Sequence, residues 1–589
     1  MIISFICHLY CENTKHKNIL TTISAVLPNK QLIMPNIAQS RLFSIPQRRM
    51  NSNITLRETV ASIVTRHMLC YSEQECAYIL AGLNMISTLD LNFDIHRSSI
   101  DIKNFQENLS KINEKELRRR DEGVYYTPKD ITEYIVANTY LNYLQPDNTQ
   151  VYSVSKCVQI ITRTNYNKLF NAKIFDPTCG TAEFLLSALN LKLQILAHGS
   201  DDDILEIITT IYGNDIAEES ILLSKIRIFF AVIHTLSDKS NAPKVAKILN
   251  KNFTVHDYII NDDISPKYDI IIGNPPYIEY GKLPQRPQTN YGNSYADVLR
   301  NAILSAKESA VIGFVIPLSF VSTTRMKGIR DYAYEKLKKI FVLNFADRPD
   351  CLFDGVHQKL TILLGVKGKN KCDVYSSSYY HWYCDERDRL LNNATVLPVK
   401  PNDRYIPKIG TIYEHSIFEK ILSTKGKSFG EIIRNADNAT LPVYLNMRGC
   451  FWMKAFSFNP GSNEYKLFNC PKDMQAYILC LLNSNLFFLY WTIVSDCWHI
   501  TGKELSEFII PTNDIDFNAF RGLVSKLEQK LENTKSYIGS KQTVYEYKHK
   551  ECKKEIDEID ILLQQIYCLT NEEIEFLKNY NIRYRMSNG

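Results

Sequence analysis

The clearest pattern along the chain is a series of short apolar runs, each stopped by small or polar residues. Ile270 to Ile272 is unbroken and leads at once into Gly273-Asn274-Pro275-Pro276-Tyr277. Such a run suits a strand buried on both faces. The two prolines end it and stiffen the loop beyond its carboxyl end. Ile174-Phe175 ends an earlier strand, followed by the tight loop Asp176-Pro177-Thr178-Cys179-Gly180-Thr181 and a helix carrying Phe184, Leu185, Leu186, Ala188 and Leu189. Asp215 closes a further short strand, with Glu218 and Glu219 opening the next helix. Asp257 follows another, in Asn252 to Ile260. Val311 to Phe320, broken at Pro317, and two runs between Phe341 and Val366 add more strands. Strands alternating with helices predict an α/β fold around a mainly parallel sheet. Sheets of that kind place ligands outside the carboxyl ends of their strands.

Other stretches carry helical spacing. Leu56 to Leu89 has Val60, Ile63, Val64, Met68, Ile79, Leu80 and Leu83 at such intervals, and Lys103 to Arg120 is a polar helix with little Gly or Pro. Thr127-Pro128 reads as a helix start with proline at the first helical position, ahead of Ile131, Ile135 and Val136 on one face. From about Tyr405 aromatics become dense, among them Phe451, Trp452, Phe487, Phe488, Trp491 and Trp498, interspersed with basic residues such as Arg404, Lys408 and Arg448. Most of these aromatics are expected in a core. Val524 to Leu531 and Tyr545 to Tyr567 read as helices, and Thr570 with Glu573 forms a capping box for a last one. The expected organisation is a leader at 1–50, a helical subdomain at 51–120, a catalytic domain at 121–370, a connector at 371–404 and a second domain at 405–589.

Composition changes this picture little. The 589 residues are 45% hydrophobic and 23% charged, with a net charge of +5. That permits a nucleic-acid partner without arguing for one. Fifteen cysteines are irregularly spaced, with no CxxC pair, which suits free thiols in a reducing compartment and no metal site. No apolar run reaches about 18 residues, so no membrane span is expected. Glu12 is the sole acidic residue before Glu58, while Lys15, Lys17, Lys30, Arg41, Arg48 and Arg49 are basic. This leader reads as a disordered arm, or as sequence upstream of a true start at Met34 or Met50.

The loop after Ile272 offers an amide oxygen from Asn274, a carbonyl from Pro275 and an aromatic face from Tyr277. That set suits a planar substrate bearing an NH2 group. An exocyclic amine is a poor nucleophile because its lone pair is delocalised into the ring. Two acceptors taking both amine hydrogens would draw the nitrogen toward tetrahedral geometry, while the ring stacks on Tyr277. Asn-Pro-Pro-Tyr after an apolar strand resembles the catalytic motif of the N6-adenine DNA methyltransferases of restriction-modification type, which use S-adenosyl-L-methionine. The other strand ends resemble the same family in the same order, from about Gly123 to the end of the chain. Tyr126, Thr127 and Pro128 match its "(Y/F)-T-P" segment, which closes over the methionine end of the cofactor. Asp176, Pro177, Cys179 and Gly180 match its cofactor loop, with Ala182 standing where the family has glycine. Asp215 matches its ribose-binding acid, and Asp257 with Tyr258 its adenine-binding pair. Phe353 matches an aromatic on the far face of the target base, opposite Tyr277.

The resemblance implies a Rossmann-like methyltransferase sheet followed by a mixed α/β and helical target-recognition domain. It implies a cytoplasmic, nucleoid-associated enzyme that extrudes adenine from double-stranded DNA and methylates its N6, with Asn274, Pro275, Pro276 and Tyr277 as the catalytic loop. Extrusion is required because the amine is out of reach inside the stack. A protein-glutamine or RNA-base amino-methyltransferase is the alternative, since the same loop serves those amines. The first 120 residues hold no Pro-Asp…Glu-x-Lys nuclease pattern, so a restriction endonuclease, where one exists, is expected on a separate chain.

Overall fold

The structure, a computed structural model, describes residues 56–87, 105–109 and 127–587, apart from 165, 197–198, 261–263, 354, 435–439, 512–514 and 541–542. The expected leader, Tyr126 and most of the helix expected at 103–120 lie outside the described residues.

Nine strands form one sheet: β1 (Ile174–Asp176), β2 (Ile211–Asp215), β3 (Phe253–Val255), β4 (Tyr268–Gly273), β5 (Ala306–Pro317), β6 (Leu337–Phe345), β7 (Leu360–Lys367), β8 (Asp373–Tyr380) and β9 (Leu397–Val399). Their order is β3-β2-β1-β4-β5-β7-β6-β8-β9. The pairs from β3 through β5 are all parallel, whereas β7 runs antiparallel between β5 and β6. This is the expected Rossmann-like methyltransferase sheet. The strand order reverses between β1 and β4, and that switch point opens a crevice at the carboxyl edge. Ile174 pairs with Ile270 and Phe175 with Ile271, so the loops after β1 and β4 leave the sheet side by side.

The apolar runs become central strands because helices cover the sheet. Ile270, Ile271 and Ile272 are fully buried. The helix Lys129–Leu144 lies so close to β5 that a Cβ on Gly313 would sit 2.3 Å from Thr139 Oγ1 and 2.9 Å from Ile135 Cγ2. It begins one residue later than the sequence predicts, with Pro128 as its extended N-cap. The helix Glu183–Leu196 packs against it, with Tyr140 donating to the Ala188 carbonyl at 2.8 Å. The apolar stretch from Leu56 forms two helices, Leu56–Met68 and Glu73–Ile86, the second started by a capping box on Ser72 and Glu75.

The stretch expected as a connector supplies β8 and β9, so the sheet runs on into residues 371–404. The sequence DVYSSSYY sets a block of three serines between tyrosines and lacks the apolar run that marks the central strands. Beyond it, Thr440–Asn446 pairs with Ala455–Phe456 and Tyr465–Pro471 in a three-stranded antiparallel sheet. The helices Gln475–Asn483 and Asn485–Val494 follow, and the second, buried at every residue, packs against β8. The dense aromatics here are core, as expected: Phe487, Phe488, Tyr490 and Trp491 are at most 2% exposed. Each such side chain contributes roughly 1.5–3 kcal/mol by burial. Among the described residues no single helix is long and apolar enough to cross a membrane. That helix pair reaches the composition of a span only when joined across a 61° bend. The helix expected at 545–567 covers only Lys553–Ile566, preceded by a two-residue strand and a 3-10 turn. The Thr570–Glu573 capping box opens Asn571–Asn579 as expected.

Candidate active site

Four strand ends bring Asp176, Asp215, Asp257 and Asn274 to one edge. Asp176, at the end of β1, is 1% exposed. Its Oδ1 accepts from the Thr178 N–H at 3.1 Å. Burial, and then the neighbouring Asp215, push its carboxyl well above the usual carboxylate range. Gly273, at the end of β4, lies directly against it: a Cβ there would be 2.7 Å from Asp176 Oδ1. The glycine before Asn274 is therefore what lets the two loops meet across the switch point.

The loop after β1 is fixed by backbone bonds. Cys179 N–H donates to the Asn214 carbonyl at 2.8 Å, and Gly180 N–H to Asp215 Oδ2 at 2.9 Å. Gly180 has φ +52°, and a Cβ there would meet nothing within 4 Å, so open space lies above it. Ala182 is buried with φ +69°, a left-handed conformation that a family glycine would adopt without strain. Arg227, 3% exposed, reaches back from the helix Glu218–Thr235 to the Thr181 carbonyl and the Glu183 carboxylate. Burial and the two aspartates push the Cys179 thiol far up, so it stays protonated and unsuited to nucleophilic work.

Asp215, half-buried at the end of β2, accepts from Gly180 N–H and, through Oδ1 at 2.9 Å, from Ala217 N–H. Burial raises its carboxyl above the ordinary value, and those backbone bonds partly offset this. Ile216 beside it is 68% exposed, an apolar face that the sequence reading passed over. Asp257 Oδ1 accepts from Ile259 N–H at 2.9 Å. Tyr258 turns inward: it is 7% exposed, its hydroxyl meets Ser305 Oγ at 2.7 Å, and its ring lies edge-on to Phe175 at 5.7 Å.

The loop after β4 is braced on both sides. Asn274 Nδ2 donates to Thr127 Oγ1 at 3.1 Å, which joins two motifs 147 residues apart. The Tyr277 hydroxyl lies against Asn274 Oδ1 and the Val315 carbonyl of β5, the latter at 2.9 Å. Pro275 is buried, and no group among the described residues donates to its carbonyl. The Pro276 carbonyl is taken by Ser294 Oγ at 2.5 Å, and the same oxygen accepts from Ile278 N–H at 2.9 Å. Ser294 and Tyr295 are fully buried and hold the loop from behind. Glu279 adds a two-pronged ion pair with Arg325, at 2.8 and 2.9 Å.

Phe353, expected to stack on the target base, is 1% exposed in the core. Arg387 grips the carbonyls of Leu352 at 2.9 Å and Cys351 at 3.3 Å while pairing with Asp130, and this draws the segment inward. In this conformation Phe353 has no open face. Among the described residues no cluster of His, Cys, Asp and Glu could hold a metal ion.

Residues 209–349 match the family described as the Eco57I restriction-modification methylase. That stretch holds Asp215, Asp257, Tyr258 and Asn274 to Tyr277, and excludes Asp176 and Phe353. The type II methyltransferase M.HincII of Haemophilus influenzae is 28% identical over 383 residues, which cover 51% of this chain and 74% of the relative. M.HindII, also of Haemophilus influenzae, is 28% identical over 181 residues, 28% of this chain but only 31% of that protein. Among solved structures, the type IIL restriction-modification enzyme MmeI in complex with DNA covers 81% of both chains at 12% identity, with a TM-score of 0.48. The matched stretch and these two type II relatives make the chain similar to restriction-modification methylases over part of its length.

Proposed function

We propose that this protein is a site-specific DNA methyltransferase that transfers a methyl group from S-adenosyl-L-methionine to the N6 of adenine, as the modification component of a restriction-modification system. The observation that carries this reading is the Pro275 carbonyl, to which no described residue donates, beside the Asn274 amide oxygen at the end of β4. A planar amine has two hydrogens, and this loop has two adjacent acceptors. An sp2 amide oxygen has two lone pairs, which makes Asn274 Oδ1 a suitable acceptor for an amine hydrogen.

The residues present fit the cofactor. The open space over Gly180 lets a ligand approach the backbone. The Asp215 oxygens accept from the Gly180 and Ala217 N–H groups, and a carboxylate has further lone pairs for a ribose hydroxyl. Ile216 offers an exposed apolar face for a purine, and Asp257 an acceptor for its amine. When bound, S-adenosyl-L-methionine supplies a methyl group on a sulfonium, already a strong electrophile. The chain's task is then to position the amine and exclude water. Asn274 and Pro275 hold the amine hydrogens, Tyr277 supports the ring, and Thr127 fixes the amide plane. Positioning of this kind supplies most of the rate. The methylated nitrogen loses a proton to solvent, so no strong base is needed.

The test is transfer of a labelled methyl group to mixed-sequence duplex DNA, RNA and protein extract, with wild type and Asn274→Ala side by side and nucleoside analysis of the product. N6-methyladenine in DNA, absent with the variant, is expected. N4-methylcytosine would keep the loop chemistry and change the base. Label in RNA or protein would overturn the DNA reading.

A further inference from the structure

A second feature lies at the same sheet edge, one strand away from the Asn274 loop. Lys359 opens β7, and its carbonyl accepts from Leu318 N–H at 3.0 Å, just past the end of β5. Three residues before Leu318, the Val315 carbonyl accepts from Tyr277. Over this corner sits Trp498, carried in by the segment after the helix Asn485–Val494. Lys359 Nζ lies 4.4 Å from the Trp498 ring centroid, and the Arg348 guanidinium lies 5.6 Å from it. Both are within cation–π range.

Each part is fixed in place. Trp498 N–H donates to Asp496 Oδ1 at 2.9 Å, and its carbonyl accepts from Gly449 N–H at 3.0 Å. The Arg348 carbonyl accepts from His381 Nδ1 at 2.8 Å. Lys359 has a carboxylate within reach, Asp347 at 3.7 Å. Arg348 is exposed, and among the described residues no carboxylate pairs with its guanidinium. A guanidinium laid on an aromatic ring keeps its in-plane N–H groups free to fork onto a planar or tetrahedral oxyanion.

We infer that Arg348, held on Trp498 beside Lys359, binds a backbone phosphate of the DNA strand next to the base delivered to Asn274. The inference rests on the proposed DNA reading and goes beyond it by naming the contact. A rigid cation at this edge would set the register of the strand without reading its sequence.

The test is binding of the full-length chain to a duplex substrate, followed by fluorescence anisotropy across a range of NaCl concentrations. Arg348→Gln should weaken binding and reduce the slope of log K against log salt by about 0.9, the value for one phosphate contact. Trp498→Leu keeps the charge and should leave the slope unchanged while weakening binding by about two- to five-fold. Lys156→Gln, an exposed lysine on the helix Val154–Ile161, serves as the control for one lost charge. Cofactor binding and melting temperature should stay at wild-type values for Arg348→Gln. A slope for Arg348→Gln equal to that of Lys156→Gln overturns the contact and leaves the DNA reading standing. Absence of duplex binding by the wild type overturns both.

Discussion

The Tyr277 hydroxyl lies between two acceptors, the Asn274 amide oxygen and the Val315 carbonyl. With a single O–H it can satisfy one of them at a time. It braces the Asn274 loop against β5. The ring and the hydroxyl therefore have separable duties. Tyr277→Phe keeps the stacking face and removes a brace worth about 1 kcal/mol. It should hold kcat/KM on duplex DNA within about ten-fold of wild type. Tyr277→Ala loses the stack as well, about 1–3 kcal/mol for one base, and should lower kcat/KM by a further five- to 150-fold. Equal losses in the two variants would assign the work to the hydroxyl instead.

Asn274 has two faces: its Nδ2 donates to Thr127 and its Oδ1 accepts from the Tyr277 hydroxyl. Asn274→Ala removes the acceptor and should lower kcat by about 100- to 1,000-fold, the usual loss when one preorganised polar contact is removed. Asn274→Asp keeps an acceptor at the same place and loses the donor to Thr127, whose hydroxyl can rotate and donate instead. Its activity should fall between wild type and Asn274→Ala. Single-turnover rates at saturating cofactor measure this directly.

The parts of the site that were legible in the sequence are those fixed by local chain chemistry. Asp176-Pro177, Asp215, Asp257 and Asn274-Pro275 each follow a short strand, and a strand end is readable from an apolar run that stops. The structure brings Asp176, Asp215 and the Asn274 loop to one edge, with Thr127 reaching Asn274. Side-chain direction was less legible. Tyr258 turns into the core because Phe175 and Ser305 offer it a ring contact and a hydrogen-bond partner, and neither is a sequence neighbour. Phe353 is buried because Arg387 joins its segment to Asp130 across 257 residues. Strand β8 escaped notice because its run of three serines between tyrosines carries little apolar signal.

Gly273 is a steric requirement for the crevice. Gly273→Ala would place a methyl group 2.7 Å from Asp176 Oδ1 on two backbone segments held by sheet pairing. Overpacking of this kind costs about 1–3 kcal/mol. Because relief must come from moving Asp176 or Asn274, the variant should lose cofactor affinity and kcat together while melting at a lower temperature. A variant that melts earlier but binds cofactor normally would mean that the strain is absorbed elsewhere.

Lys408 gives a prediction with a defined sign. It is fully buried, and its ammonium donates to the carbonyls of Ile493 at 3.1 Å and Ser495 at 2.6 Å, at the end of the helix that packs on β8. Burial pulls its pKa down from 10.5 to about 8; Lys503 adds to the fall, and Cys497, Asp496 and Glu504 oppose it. In the unfolded chain the lysine keeps its proton up to its ordinary value. Between about pH 8 and 10.5 the unfolded state therefore binds more protons, and the contribution of this group to stability rises with pH across that window. Below pH 8 both states are charged and the contribution is flat at its lowest level. Tyrosines and other cysteines also titrate at high pH, so the comparison is wild type against Lys408→Met, in which those shared terms cancel. The melting temperature of wild type relative to the variant should rise between pH 7.5 and 10.5, by an amount corresponding to about 1–3 kcal/mol. A difference that stays constant over that range would mean that Lys408 keeps its full charge in the folded protein, and that the two carbonyls at the helix end repay its burial.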